Sequence, residues 1–489
     1  MMPRRSLSSA AAVLLGGGLA AALLGGSGGR ERQAQAQALT APSPKKVFNA
    51  RLPVFEQLTL PSGLTVYSYQ DDTLPVVSLA LAVRSGSGAE SAGKAGLAQL
   101  AYRVLASRAD SPEASTGAPA VSELGAHLEW EVEADGGRLQ LNVLASQAER
   151  AVAALAALVQ KPTVSARDLQ RLKSEQLASQ SASRGLPTFL AEDQLRQLIY
   201  GPQHPYGHLP AGTPATVNPI TAQDIATYHG CTLFPKNVAL IAAGRVTSAA
   251  VRDWAARYLG TWQASGQSCQ QAVLLPTATK RTQVVAIARP GLAQTLIMVG
   301  RAMVPLGHPH EQALQLADSY LKALSFYQLR LQKGITYGVS GQLTHNLHGG
   351  HFSLSTQVQA DQTGEALSEL LSQMFALQRE SVPTRFVINA RLRHGWGIVS
   401  EYATLPSSVH HVAQLFHWLQ PLTWDQTRLM QLQQIGAADV DAAASRYFNR
   451  SLMHIVVVGD PDIIKAQVGT QNLGALRFTA DCAQSGACD

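Results

Sequence analysis

Apolar residues fall at alternate positions at Leu58 and Leu60, then at Leu64 and Val66, with the turn Pro61-Ser62-Gly63 between them. That period of two predicts paired strands within residues 54–83. The run Val76–Val83 is apolar but for Ser78 and reads as a buried strand, and after a Gly/Ser turn a helix is expected over about residues 92–109. Strands near residues 128–134 and 138–144 are joined by Asp135-Gly136-Gly137, a hairpin signal, and helices follow near 147–159 and 166–181. The second half repeats this order. Strands are expected near residues 283–288 and 295–300, then a helix near 311–332. A hairpin of residues 335–344 and 350–358 turns at His348-Gly349-Gly350, before helices near 364–377 and 384–401. Each half ends on a similar apolar strand, Val238–Gly244 and His454–Gly459, whose terminal glycines lie 215 residues apart. A duplicated α+β fold is the simplest architecture with this pattern.

Composition adds an address and a domain plan. At 489 residues the chain exceeds one hydrophobic core, and 46% hydrophobic with 15% charged residues is ordinary for a globular protein. Arg4 and Arg5 precede an apolar Gly- and Ala-rich stretch from Ala10 to Leu24, and Ala36-Gln37-Ala38 supplies a cleavage signal. Residues 1–38 therefore read as a signal peptide, directing the chain to the periplasm or another exported location. Pro3-Arg4-Arg5-Ser6-Leu7 matches a twin-arginine signal only in part. The expected plan is a domain over residues 39–265, a linker at 266–280 around Pro276, a second domain at 281–480, and a tail at 481–489. Without the leader the net charge falls from +6 to +3, and no run of Lys or Arg remains to imply nucleic acid. Nothing beyond the leader is long and apolar enough to span a bilayer. Four cysteines in an exported chain suggest two disulfides, with Cys231 and Cys269 as one pair and Cys482 and Cys488 as the other.

Four short motifs carry the chemistry. They are Pro61-Ser62-Gly63-Leu64-Thr65-Val66 with Val83-Arg84-Ser85-Gly86-Ser87, the helix Gly96-Leu97-Ala98-Gln99-Leu100-Ala101-Tyr102-Arg103, the stretch from Tyr200-Gly201-Pro202-Gln203-His204-Pro205-Tyr206-Gly207 to Gly212-Thr213, and Leu329-Arg330 through Lys333-Gly334-Ile335-Thr336-Tyr337. In this order and spacing they resemble the M16 peptidase family (pitrilysin, insulinase and mitochondrial-processing-peptidase-like), in its two-domain bacterial branch, over roughly residues 50–480. The resemblance implies two tandem homologous domains of the LuxS/MPP-like metallohydrolase type, each a mainly antiparallel sheet with helices packed on one side. It also implies that two such chains face each other around a chamber, where a peptide adds as a strand to a sheet edge.

The resemblance makes the first helix informative through what it lacks. The zinc and general-base element of such peptidases reads His-x-x-Glu-His. Here those positions are Gln99, Tyr102 and Arg103, and neither a guanidinium nor a phenol replaces a zinc ligand or a carboxylate base. The third ligand, a Glu, is expected near Ala178–Ser179, where Ser179 stands and Glu175 is the nearest carboxylate. No metal is therefore expected in this chain.

Arg330 and Tyr337 match the family pair that contacts substrate carbonyls opposite the metal. Arg330 is expected in the last turn of a helix, with Gly334 at its left-handed end and Tyr337 opening the next strand. The histidines His345, His348 and His351, the pairs His308/His310 and His410/His411, and His204 read as turn and packing residues. No Ser-His-Asp arrangement or phosphate loop stands out.

The implied function is the non-zinc-binding subunit of a periplasmic heterodimeric metallopeptidase acting on oligopeptides or unfolded polypeptide. In that reading a partner with intact His-x-x-Glu-His holds zinc, and this chain lends Arg330 and Tyr337. The alternatives are a non-catalytic scaffold or peptide-binding half-shell of a larger complex, and an independent hydrolase using other residues.

Overall fold

The computed structural model describes residues 48–91, 93–110, 118–160, 162–263 and 281–479, and places among them two six-stranded sheets. The first contains β1 (Glu56–Thr59), β2 (Thr65–Gln70), β3 (Val76–Val83), β4 (Glu129–Val132), β5 (Gly137–Leu144) and β6 (Val238–Gly244), in the order β1-β2-β6-β3-β5-β4. The second contains β7 (Val284–Ala288), β8 (Gln294–Met303), β9 (Thr336–Asn346), β10 (Gly349–Gln359), β11 (His454–Gly459) and β12 (Leu476–Thr479), in the order β12-β7-β11-β8-β10-β9. The orders superimpose strand for strand, so β4 and β9 are equivalent edges. The opposite edges differ in origin. β1 precedes its neighbour β2 and pairs antiparallel, whereas β12 comes from the end of the second half and pairs parallel with β7.

Seven helices of the first half are α1 (Leu97–Ser107), α2 (Ala148–Gln160), α3 (Ala166–Arg184), α4 (Pro187–Tyr200), α5 (Pro214–Val217), α6 (Ala222–Thr232) and α7 (Ser248–Leu259). Those of the second half are α8 (Glu311–Phe326), α9 (Thr363–Arg379), α10 (Thr384–Ser400), α11 (Leu405–His417), α12 (Trp424–Gln434), α13 (Ala437–Tyr447) and α14 (Pro461–Gln467). On one face of the first sheet, Leu79, Leu81, Leu139, Leu141 and Leu240 share an apolar core with Leu100 and Leu105 of α1, Leu155 of α2 and Val251 of α7. The α+β class with two tandem domains stands.

The other face of each sheet is covered by a helix from the other half. On α4, Ala191, Leu195 and Ile199 recur every four residues, a single helical stripe, and pack on Leu296, Met298, Val456 and Val458 of the second sheet. On α11, Val409, Val412, Ala413 and Phe416 pack on Ala80, Ala82, Ala239, Ile241 and Ala243 of the first. Both helices begin with proline in their first turn, the position where its missing N–H costs nothing. This exchange explains why β3, β6 and β11 are apolar without alternation, Ser78 and His454 apart, since a strand covered on both faces has no polar side. Arg84 fastens the α11 contact, donating from Nε to the Phe416 carbonyl at 3.0 Å with its guanidinium 3.8 Å from the Phe416 ring centroid.

Boundaries shift for local reasons. The first helix starts at Leu97 instead of near residue 92, because Gly96 adopts φ +97° and the Glu90 carboxylate accepts from the Gly96 and Ala98 N–H groups at 3.1 and 2.8 Å. In the second hairpin Gly349 already lies in β10, so the turn sits at Leu347–His348. The expected leader, linker and tail lie outside the described residues. Cys231 is disulfide-bonded, and its partner lies outside them as well.

Candidate functional site

Helix α1 points its chemical positions at protein. Tyr102 is 1% exposed, its hydroxyl has no hydrogen-bond partner, and burial pushes its ionisation well up. Its ring lies where a side chain at position 137 would be, since a Cβ on Gly137 would come within 2.4 Å of Cζ. Arg103 stands over the Trp130 ring at 5.5 Å and lies 3.8 Å from Glu175. Gln99 is half-buried. Ser179 is exposed, and the buried positions on either side of it along α3 are Gln176 and Gln180. Gln176 donates to the Gly96 carbonyl at 3.1 Å and the Ala211 carbonyl at 3.0 Å, and Gln180 also donates to Ala211. These residues do not fit zinc. A cation and an amide occupy ligand positions, a buried phenol occupies the base position, and Glu175, the carboxylate nearest the expected third-ligand position, is engaged by Arg103 and Arg171. Among the described residues no group of three His, Cys, Asp or Glu is placed to hold a metal.

Arg330 and Tyr337 are brought together by two backbone irregularities. Arg330 lies in a π-helical turn, Tyr327–Gln332, that continues α8, and the turn ends with Gly334 at φ +67°. Tyr337 follows on β9. The pairing passes from Thr336↔Val358 to Val339↔Thr356, so β9 carries one extra residue there, a bulge at Tyr337–Gly338. Such bulges re-aim a side chain, and Tyr337 is 82% exposed. Buried hydroxyls hold the bulge. Thr336 Oγ1 lies 2.9 and 2.8 Å from the Gly338 and Gln357 carbonyls, which share its one proton, and accepts from the Gly338 N–H at 3.1 Å. Thr356 Oγ1 reaches Thr336 Oγ1 at 2.9 Å. Arg330 donates to the Thr336 carbonyl at 3.3 Å, with its guanidinium 5.4 Å from the Tyr337 ring centroid. Among the described residues Arg330 pairs with no carboxylate, whereas neighbouring Lys333 is held by Glu365 and Glu369 at 2.8 and 3.1 Å. The pair opens onto a cavity of about 290 Å³. A guanidinium with donors beyond the one given to Thr336 and an exposed phenol on one cavity can both donate to a carbonyl or an oxyanion.

The histidines serve other ends. His204 Nδ1 accepts from the Tyr206 N–H, and Tyr206 donates to Asp135, whose other oxygen accepts from the Leu347 N–H at 2.8 Å in the second half. His351 is buried between the Tyr200 hydroxyl at 3.3 Å and Glu192 at 3.2 Å. His345 bonds the Val304 carbonyl, His308 and His310 stack near Tyr447, and His411 lies 2.5 Å from Asp425. The mid-domain motif is thus a polar seam between the halves. Its partners Asp135, Glu192 and Tyr206 carry no sequence signal beyond the hairpin and the motif itself. The structure also brings Ser319 to 2.8 Å from His394, a pair the sequence does not announce. Burial and the neighbouring Arg393, Arg428 and Lys322 charges lower His394 to about 4.

Among the described residues no helix is long and apolar enough to cross a membrane. A family model described as insulinase (peptidase family M16) matches residues 65–201, and a second, described as peptidase M16 inactive domain, matches residues 219–386. No curated protein matches the chain significantly. Among solved structures, a peptidase M16 inactive domain from Pseudomonas fluorescens is 23% identical with TM-score 0.74, covering 83% of this chain and 98% of that one. A protease from Helicobacter pylori is 15% identical with TM-score 0.73, covering 84% and 100%. A chain of complex III2 from Candida albicans is 14% identical with TM-score 0.69, covering 84% and 96%.

Proposed function

Given that this chain belongs to the M16 peptidase family, we propose that it is the non-zinc-binding subunit of a heterodimeric metallopeptidase of the periplasm, acting on oligopeptides or unfolded polypeptide. A partner with intact His-x-x-Glu-His holds the zinc and the general base, and this chain places Arg330 and Tyr337 on the substrate across the chamber. The observation that carries this reading is the pocket at the helix–strand junction. An arginine without a carboxylate partner among the described residues and an exposed tyrosine share one cavity there, aimed by a π-turn and a bulge, while the zinc helix of the same chain is packed with Tyr102. A π-turn and a β-bulge meeting at one exposed site are irregularities of the kind that concentrate at functional sites, which favours a working surface over a relic.

In the assembled pair, donation from Arg330 and Tyr337 to the reacting carbonyl stabilises developing negative charge, an effect worth about 10²–10³ in rate for one such donor. The test is co-purification with the zinc-bearing subunit, metal analysis of each chain, and turnover by the reconstituted pair. Arg330→Ala and Tyr337→Phe are expected to depress turnover with assembly intact. Unchanged turnover favours the second reading, a non-catalytic half-shell or scaffold, which the likeness to a complex III2 chain supports at the level of fold. Peptidase activity of this chain alone, surviving a chelator, would sink both.

A further inference from the structure

The cavity beside Arg330 and Tyr337 presents more than donors. It is also lined by Gln294, Gln357, Gln359 and Gln362, and among the described residues no carboxylate lines it. Gln362 differs from the rest. It ends the short 3₁₀ turn Ala360–Gln362 and stands at the N-cap position of α9, yet its side chain makes no cap bond. Its Oε1 is buried without a hydrogen-bond partner. A buried acceptor left unpaired gains by turning toward a donor, and rotation about the terminal torsions of glutamine turns the carboxamide into the cavity. The same cavity is lined by groups that can only donate, or donate readily, to a ligand: the Arg330 guanidinium, the Tyr337 hydroxyl and the Lys333 ammonium, the last already held by Glu365 and Glu369. Donors and an acceptor around one small cavity are complementary to an amide, which offers a carbonyl and an N–H. A carboxylate, with no hydrogen to give, leaves the Gln362 acceptor unpaired.

We propose that Gln362 is the acceptor half of a peptide-amide clamp, taking a substrate N–H beside the carbonyl that Arg330 and Tyr337 hold. The proposal rests on the reading of that pocket as the substrate-contacting site, and it adds a binding residue and a required substrate group. The carboxamide itself has both an acceptor and a donor, so the two roles separate by substitution. Gln362→Glu keeps the acceptor, and Gln362→Leu removes it.

The probe is a fluorescein-labelled unstructured peptide of mixed sequence, with a set of analogues in which one amide is replaced by an ester, binding measured by anisotropy to the purified full chain. Wild type is expected to bind the amide more tightly than the ester at one position of the peptide by about 2- to 12-fold, the range of one net hydrogen bond. Gln362→Leu is expected to lose that discrimination, weakening the amide peptide by a similar factor and leaving the ester unchanged. Gln362→Glu is expected to retain it. Equal weakening of amide and ester by Gln362→Leu, or no effect of that substitution while Arg330→Ala abolishes binding, overturns the clamp and leaves the underlying site intact. Peptide binding unaffected by Arg330→Ala and Tyr337→Phe overturns both.

Discussion

If helix α1 is a packing element, Tyr102 can be tested directly by asking what the fold accepts in its place. The side chain is 1% exposed, its ring fills the space above Gly137, and its hydroxyl is unpartnered. Tyr102→Phe removes an unsatisfied buried group and keeps the ring, so stability is expected to hold within about 1 kcal/mol or to rise. Tyr102→Ala empties an aromatic site in a close-packed core, a change that costs about 3–5 kcal/mol. Tyr102→Glu, which restores the residue type of the zinc motif, loses the ring and also buries a carboxyl. Burial raises that carboxyl's folded pKa above its unfolded value. The added penalty is therefore absent below about pH 4, where both states are protonated, and grows as pH rises through the folded pKa. A lift of about three pKa units adds about 4 kcal/mol near pH 8. Against a total stability of about 5–15 kcal/mol, that suffices to unfold much of the population.

The assay is urea unfolding by far-ultraviolet circular dichroism at two pH values, reading midpoints at constant slope. Stability of Tyr102→Glu within about 1 kcal/mol of wild type near pH 8, or a stably folded Gln99→His/Tyr102→Glu/Arg103→His variant retaining one zinc per chain, would refute the packing argument.

Two further outcomes follow from the packing of Glu90 and Leu195. Glu90 is held to about 8 by burial, from an ordinary 4.5, against the opposing Ala98 and Gly96 N–H bonds. The folded state then keeps a proton that the unfolded state releases, so this group's contribution is fully present below about pH 4.5 and is lost as pH rises toward 8. Glu90→Gln keeps the acceptor for both amides and is expected to flatten the fall of the urea midpoint across that window; parallel curves for the two proteins would rule the reasoning out. Leu195→Ala on the exchanged helix α4 is expected to cost about 2–5 kcal/mol and to lower one shared calorimetric transition. Two separating transitions, with only one displaced, would show that the halves are not coupled through this helix.

Much of the architecture is legible in the chain because its signals are local. The Pro61-Ser62-Gly63 and Asp135-Gly136-Gly137 turns, the apolar runs of β3, β6 and β11, and Gly334 at a helix end each fix their own neighbourhood. The positions of Arg330 and Tyr337 at a helix–strand junction follow from that glycine. The bulge beneath Tyr337 does not, since it depends on Thr336 and Thr356 meeting across two strands twenty residues apart in sequence. The same holds for α4. Its apolar stripe is there to be read, but its partner surface lies on β8 and β11, at a sequence distance no periodicity reports. Ser179 shows the finer limit: a one-residue step along α3 separates an exposed serine from the inward Gln180.

The exchange of α4 and α11 also sets an order of events in biosynthesis. When residues 50–244 have left the ribosome, the first sheet has its strands but not the helix that covers its second face, and α4 has no sheet to rest on. The face bearing Ala80, Ala82, Ala239 and Ile241 stays bare until residue 417 has been made. Neither half is finished before the other is present, so the chain cannot bank a completed N-terminal domain early in synthesis. A gene split between the two halves would yield two fragments that each need the other to fold.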